Sequence, residues 1–392
     1  MIPYGRQNIS EDDIDSVVQV LRSDFLTQGP RVGEFEKAVA AKIRAKHAIA
    51  MNSATSALHA SCAALGLEHG DCLWTSPISF VASANCGLYC GASVDFVDIN
   101  PETFNICPNL LEQKLLRAEQ CGGLPKVLVV VHLAGQSADM ETIAGLSRRF
   151  NFRIIEDASH AIGGRYQNEY IGNCKYSDIT VFSLHPVKII TSGEGGLALT
   201  NSSEIATKLF NFRSHGITRD GNNENFKING AWYYEQISLG FNYRMTEIHA
   251  SLGHSQLKRL DTFVTQRNSI ARVYDEQFSE TEILPPSISS HCYSAYHLYI
   301  VRFPFVNSLE DKKLIFDYMR DVGIGVQSHY IPIHTQPYYR SLGFNWGDFP
   351  NAENYYLKSM TIPLFADLTK NEQDYVINKC CSIYDKVRND KC

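Results

Sequence analysis

Apolar residues along this chain follow two rhythms, and their alternation predicts its architecture. Residues 10–21 open with a Ser cap and an acidic first turn, then repeat apolar positions at helical spacing. Residues 34–44 carry a second helical stripe. Short apolar runs then alternate with helical segments. Residues 47–51, 71–75 and 93–98 read as strands, and 55–65 and 79–90 as helices. Residues 126–133 are one continuous apolar run, the pattern of a strand covered on both faces. A helix over 140–150 and strands over 152–156, 179–183 and 196–200 continue the series.

Alternating strands and helices over residues 15–250 predict an α/β fold with a mostly parallel, doubly covered sheet. From about residue 252 the rhythm changes. A long helical stretch runs through Tyr274, followed by a strand-like piece at 298–302 and a helix over 309–322. With 392 residues the chain exceeds one ordinary core. The expected organisation is a large domain over 1–250, whose N-terminal segment joins a smaller α+β domain over 251–392.

Charge and composition narrow the partners. A net charge of -6 without a basic block argues against nucleic acid. It leaves room for a phosphorylated ligand, which a few local N–H donors can hold. The first six residues, Met-Ile-Pro-Tyr-Gly-Arg, lack an apolar targeting segment, and no run approaches the ~18 apolar residues of a membrane span. The expectation is a cytoplasmic protein with no membrane partner. Eleven cysteines, an odd number at irregular spacing, read as free thiols. Cys86 and Cys90 lack a second Cys/His pair at zinc spacing, and His329 and His334 make no better set, so no metal site is expected.

Functional groups in such sheets gather where loops leave the strand ends. Residues 52–58, Asn-Ser-Ala-Thr-Ser-Ala-Leu, form a strand-to-helix turn that fits either a phosphate cradle or a plain helix cap. Asp157 follows an apolar strand, where a carboxylate can pair with a protonated pyridine nitrogen. By themselves, Asp157 and His160 also fit a capping carboxylate and a satisfied histidine. Residues 182–188, Phe-Ser-Leu-His-Pro-Val-Lys, are more particular. Lys188 lies shortly after a strand and before the Gly-rich turn 191–196, which suits an amine that bonds a carbonyl carbon and later swings free as a base. Burial lowers such an amine's pKa, which aids both roles. Ser183 is placed to add a phosphate contact. The Gly-rich turn lacks the Lys-Ser/Thr ending of a phosphate-binding loop, and no G-x-G-x-x-G opens a helix.

Taken in order, these motifs resemble the DegT/StrS family of sugar aminotransferases. The likeness runs from Phe25-Leu26-Thr27-Gln28-Gly29-Pro30 to Tyr355 and the Ile-Pro-Leu-Phe segment at 362–365. It implies the fold-type I architecture and pyridoxal 5'-phosphate, which becomes pyridoxamine phosphate between half-reactions. By position, Lys188 would be the covalent anchor and catalytic base. Asp157 would hold the ring nitrogen, His160 would lie by the ring oxygen, and Phe80 would stack over the ring. Ala54, Thr55 and Ser183 would bind phosphate. Asn242 resembles a residue that reaches the phosphate from a neighbouring subunit, which implies a homodimer with a shared site.

Within the family, His-Pro-Val-Lys188 and Trp232-Tyr233-Tyr234-Glu235-Gln236 are most similar to the aminotransferases of pseudaminic acid synthesis. Those transfer an amino group from glutamate to C4 of a UDP-linked 4-keto-6-deoxy-N-acetylhexosamine. The chain departs from their pattern with Ile189-Ile190-Thr191-Ser192, where Pro-Ile-Thr-Thr is expected. Leu26 and Thr27 would face the sugar, Arg213, His215 and Arg219 would neutralise a diphosphate, and His329 and Tyr330 would wall the site. Three rivals stand beside this reading. One is an aminotransferase for a dTDP- or GDP-linked keto sugar. Another is a dehydratase of the same fold, in which histidine replaces the lysine. The third is a non-catalytic regulator, which should lose Lys188 or add a DNA-binding module.

Overall fold

The computed structural model describes residues 1–219 and 229–389. Seven strands form the main sheet: β1 (His47–Met51), β2 (Cys72–Thr75), β3 (Ser93–Phe96), β4 (Val127–Val131), β5 (Arg153–Asp157), β6 (Ile179–Ser183) and β7 (Gly196–Thr200). Their spatial order is β1-β7-β6-β5-β4-β2-β3. β7 runs antiparallel to both of its neighbours, and every other pairing is parallel. Six strands therefore finish at one edge, and β7 begins there. Gly196 pairs across to Met51 at the end of β1 and to Ser183 at the end of β6.

Every residue of β4, β6 and β7 is buried, because helices cover both faces of the sheet. Side chains alternate between those faces at a period of two. Leu197 and Leu199 join a core with Phe35, Ile43 and Val264, while Ala198 joins one with Leu58 and Ile155. Val127 and Val129 face that second core, and Leu128 and Val130 face Ile143 and Leu115. Each fully buried aliphatic side chain of this kind stabilises the fold by about 1.5–3 kcal/mol.

A separate core gathers Ile270, Tyr274, Tyr299, Ile315, Met319, Ile362 and Val376 around a two-stranded ladder, Tyr299–Arg302 against Ser359–Ile362. Ile2 packs on it and bridges Ile324. The single helix expected from residue 252 to 274 is two helices, Glu247–Leu257 and Leu260–Phe278. At the break, Arg259 turns its guanidinium back to Asp13 Oδ2 at 2.5 Å and to Asn8. Leu260 and Val264 belong to the sheet's core, and Ile270 and Tyr274 to the other. The second helix thus contributes to both cores along one apolar stripe.

Arg213 ends the helix Ser203–Arg213 and is buried. It was expected to meet a diphosphate, and its partners show otherwise. Its Nη1 pairs with Glu36 and donates to Ala50 O at 2.6 Å, while Glu36 accepts the Ala50 N–H at 2.8 Å. The guanidinium thereby bolts this helix to β1 and to the helix Pro30–Ile43. Arg213→Met strands the Glu36 carboxylate and should destabilise the fold by about 3 kcal/mol. Urea unfolding measures this, and an unchanged midpoint would contradict a structural role.

Candidate active site

At the edge where six strands finish, the chain opens into a cavity of about 650 Å³, within the size range of cofactor sites. The turn after β1, the end of β5 and the loop after β6 all contribute to its lining.

One corner of the cavity is built from backbone. Ser53 caps the helix Ala54–Ala64 by accepting the Ser56 N–H at 3.1 Å. The first-turn N–H groups of Ala54 and Thr55 have no helical acceptor, and both residues line the cavity, as does Ser183. Such a helix start attracts phosphate by its exposed N–H groups and its dipole. Its placement depends on Gly196, where an added Cβ would meet Ser53 O at 2.3 Å and Ala54 N at 2.5 Å. The turn rests directly on the start of β7, and any side chain there would push it off.

Asp157 ends β5 and is buried. Its carboxylate accepts from Ser83 Oγ at 2.6 Å, Ser159 Oγ at 2.6 Å and the Ser159 N–H at 3.2 Å. Ser79 backs Ser83 at 2.6 Å. These donors fix the carboxylate's orientation.

Lys188 lies partly buried on the same cavity, with Nζ 3.4 Å from His297 Nε2. Loss of water pulls the amine down to about 8, and the Asp157 charge opposes part of that shift. His160 Nδ1 accepts the Ala134 N–H at 3.2 Å, so its ring proton sits on Nε2 and points at the Tyr330 hydroxyl, 3.0 Å away. Burial, followed by the Lys188 charge, holds His160 and His297 well below the usual imidazole range. The same causes take His329 to about 3. Three neutral imidazoles therefore surround the amine at neutral pH.

Phe80 is 58 % exposed, with its ring 6.2 Å from that of Tyr330, and both line the cavity. An uncovered aromatic face suits stacking by a flat heterocycle. His329 is held beside them by Thr361 at 2.8 Å and by the Tyr355 hydroxyl, which donates to its carbonyl at 2.6 Å.

Ala54, Thr55, Phe80, Asp157, His160, Ser183, Lys188, His329 and Tyr330 are thus brought together. Leu26, Thr27 and Asn242 are exposed and absent from this lining. His215 sits in a turn, its N–H bonded to Phe241 O at 3.0 Å, and the exposed Arg219 lies over the Tyr234 ring. Tyr4, His297 and Glu194 also line the cavity; Glu194 lies in the Gly-rich turn 191–196, and no motif marked the other two in advance. Among the described residues, no cysteine is paired, no cluster is placed to hold a metal, and no helix is long and apolar enough to cross a membrane. Cys392 lies outside them.

The donor set fits pyridoxal phosphate. It offers N–H groups and a hydroxyl for phosphate, a fixed carboxylate for a protonated ring nitrogen, an open aromatic face and an amine of lowered basicity. Gly196→Ala should displace the cradle and weaken cofactor binding at least about tenfold, or about 1.4 kcal/mol. Titrating cofactor into the stripped protein tests this, and an unchanged Kd would contradict the cradle.

Comparison with known proteins agrees with this chemistry. Residues 7–380 match the DegT/DnrJ/EryC1/StrS aminotransferase family. The UDP-4-amino-4,6-dideoxy-N-acetyl-beta-L-altrosamine transaminase of Campylobacter jejuni is 36% identical over 394 residues, covering 100% of both chains. Helicobacter pylori PseC, an aminotransferase involved in the biosynthesis of pseudoaminic acid, superposes with a TM-score of 0.89 at 32% identity, covering 98% of this chain and 99% of its own. Streptococcus pneumoniae Spr1654, a candidate sugar aminotransferase solved in PLP and PMP forms, gives 0.90 at 29% identity for its PMP form, covering 99% and 100%. Site, fold and whole-length similarity converge: the chain belongs to the DegT/DnrJ/EryC1/StrS aminotransferase family and is a pyridoxal-phosphate-dependent sugar aminotransferase of fold-type I.

Proposed function

We propose that this chain moves an amino group from glutamate to C4 of a UDP-linked 4-keto-6-deoxy-N-acetylhexosamine, a step of pseudaminic acid biosynthesis. The observation that carries the choice of sugar is the end-to-end similarity to the Campylobacter jejuni altrosamine transaminase. The His-Pro-Val-Lys188 and Trp232–Gln236 motifs support it.

Bound pyridoxal phosphate supplies an electron-deficient ring that stabilises negative charge on the carbon losing its proton. The chain's own groups do the rest. Lys188 would move a proton from the donor's α-carbon to the cofactor's C4′, on the other side of the transferred nitrogen, and would run that transfer backwards for the sugar. A pKa near 8 keeps both its forms populated around neutral pH. Asp157 keeps the ring nitrogen protonated. His160 and Tyr330 form a neutral hydrogen-bonded wall, and Phe80 covers the face towards the solvent.

Among the described residues lining the cavity, Lys188 is the only lysine or arginine, so none of them offers a diphosphate a guanidinium partner. Asn242, Arg219, Leu26 and Thr27 are exposed outside their own chain's cavity. That placement supports a homodimer in which these residues complete the partner's site. Both substrates are water-soluble, and the cytoplasm is the proposed location.

Glutamate should convert the yellow cofactor-loaded protein to its pyridoxamine form, read by absorbance. Among UDP-, dTDP- and GDP-linked 4-keto-6-deoxy sugars, only the UDP-linked one should restore the yellow form. Equal restoration by a dTDP- or GDP-linked sugar would overturn the proposed substrate. Lys188→Ala should abolish both conversions, and full transamination by that variant would overturn the mechanism.

A further inference from the structure

Two buried groups beside the cavity take no part in the reaction as described: His297 and Arg267. His297 is 4 % exposed, and its Nε2 lies 3.4 Å from Lys188 Nζ. Its backbone is clamped from two sides. From the helix Leu260–Phe278, Arg267 Nη1 donates to Tyr296 O at 3.2 Å, His297 O at 3.2 Å and Leu364 O at 3.0 Å. None of these acceptors is a carboxylate: the buried guanidinium meets carbonyls through Nη1, and its Nε has no hydrogen-bond partner among the described residues.

On the other side lies Gly135, at φ 110°. A Cβ there would meet Tyr296 N at 2.7 Å, His160 O at 3.0 Å and His297 N at 3.1 Å. Gly135 O accepts the Ala295 N–H at 3.0 Å, and Ala134 O accepts the Leu298 N–H at 3.3 Å. The same stretch supplies the N–H that fixes His160. The His160 and His297 rings consequently meet with centroids 4.5 Å apart.

The ring's protonation follows from its neighbour. A lysine ammonium has donors only, so Nε2 must accept, and the ring proton resides on Nδ1. Nδ1 has no hydrogen-bond partner among the described residues. A buried ring N–H left unpaired is unfavourable, and such groups in native folds call for a functional reason. Burial, and after it the Lys188 and Arg267 charges, oppose a second proton on the ring, so Nε2 stays an acceptor.

We propose that His297 is a positioning residue for Lys188: its Nε2 accepts a hydrogen bond from the amine whenever that amine is free and holds it at the cavity. The inference rests on Lys188 being the reacting amine. A freed lysine has about four rotatable side-chain bonds, and one fixed acceptor removes most of that freedom between cofactor release and proton transfer.

The test uses the full-length enzyme in its pyridoxamine-phosphate form, in which Lys188 is free. Competitive labelling of Lys188 by acetic anhydride, followed by mass spectrometry across pH, gives the midpoint of its titration. Losing the acceptor disfavours the ammonium, so His297→Leu should lower that midpoint by about one unit, a tenfold change in proton affinity. His297→Gln, whose amide oxygen can accept, should restore the wild-type midpoint. If the Leu variant does not fold, His297→Asn, too short to reach Nζ, replaces it. An unchanged midpoint in the Leu or Asn variant would overturn the proposal, as would an equal shift with Gln. The underlying reading fails separately, if Lys188 of the wild-type protein labels equally in its pyridoxal and pyridoxamine forms.

Discussion

Everything this site does depends on one electrostatic balance, a lysine amine withdrawn from water beside a carboxylate and three imidazoles. Burial brings Lys188 from 10.5 to about 8, and at about 1.4 kcal/mol per unit that is a large fraction of a domain's net stability. Asp157 opposes the shift. Were the histidines charged, they would drive the amine further from its protonated form and compete for the carboxylate. They remain neutral because they are buried and because Lys188 is beside them, so the groups set one another's charge.

That balance is available only because the backbone brings distant segments to one edge. The reversal of β7 places Gly196 between the ends of β1 and β6. The phosphate cradle after β1 and the lysine loop after β6 then face the same space. Gly196 sets the depth at which the cradle sits, and Gly135 does the same for the two histidines. At both positions a missing side chain lets one backbone lie against another.

Local features of the site were readable in the sequence. Strand ends, the capped turn at Ser53 and the apolar run before Lys188 each arise from contiguous residues, and so do the parallel strands of the sheet. What was not readable depends on long-range contact. Arg213 lies 177 residues from Glu36 in sequence, and nothing in its own neighbourhood tells an ion-paired arginine from one awaiting a phosphate. His297 lies 109 residues from Lys188, in an apolar stretch where a histidine reads as part of the core. The continuous stripe across residues 247–278 concealed a helix break that Arg259, Asp13 and Asn8 make across the fold.

The family relationship assigns the class of reaction, and the geometry supports Lys188 as the proposed central residue. The most direct test of that assignment is chemical. Reducing the cofactor-loaded protein with borohydride fixes the cofactor to whichever lysine carries it, and peptide mass spectrometry then locates the adduct. The account predicts a single modified site at Lys188. An adduct on another lysine, or a fully loaded active protein with none, would contradict it.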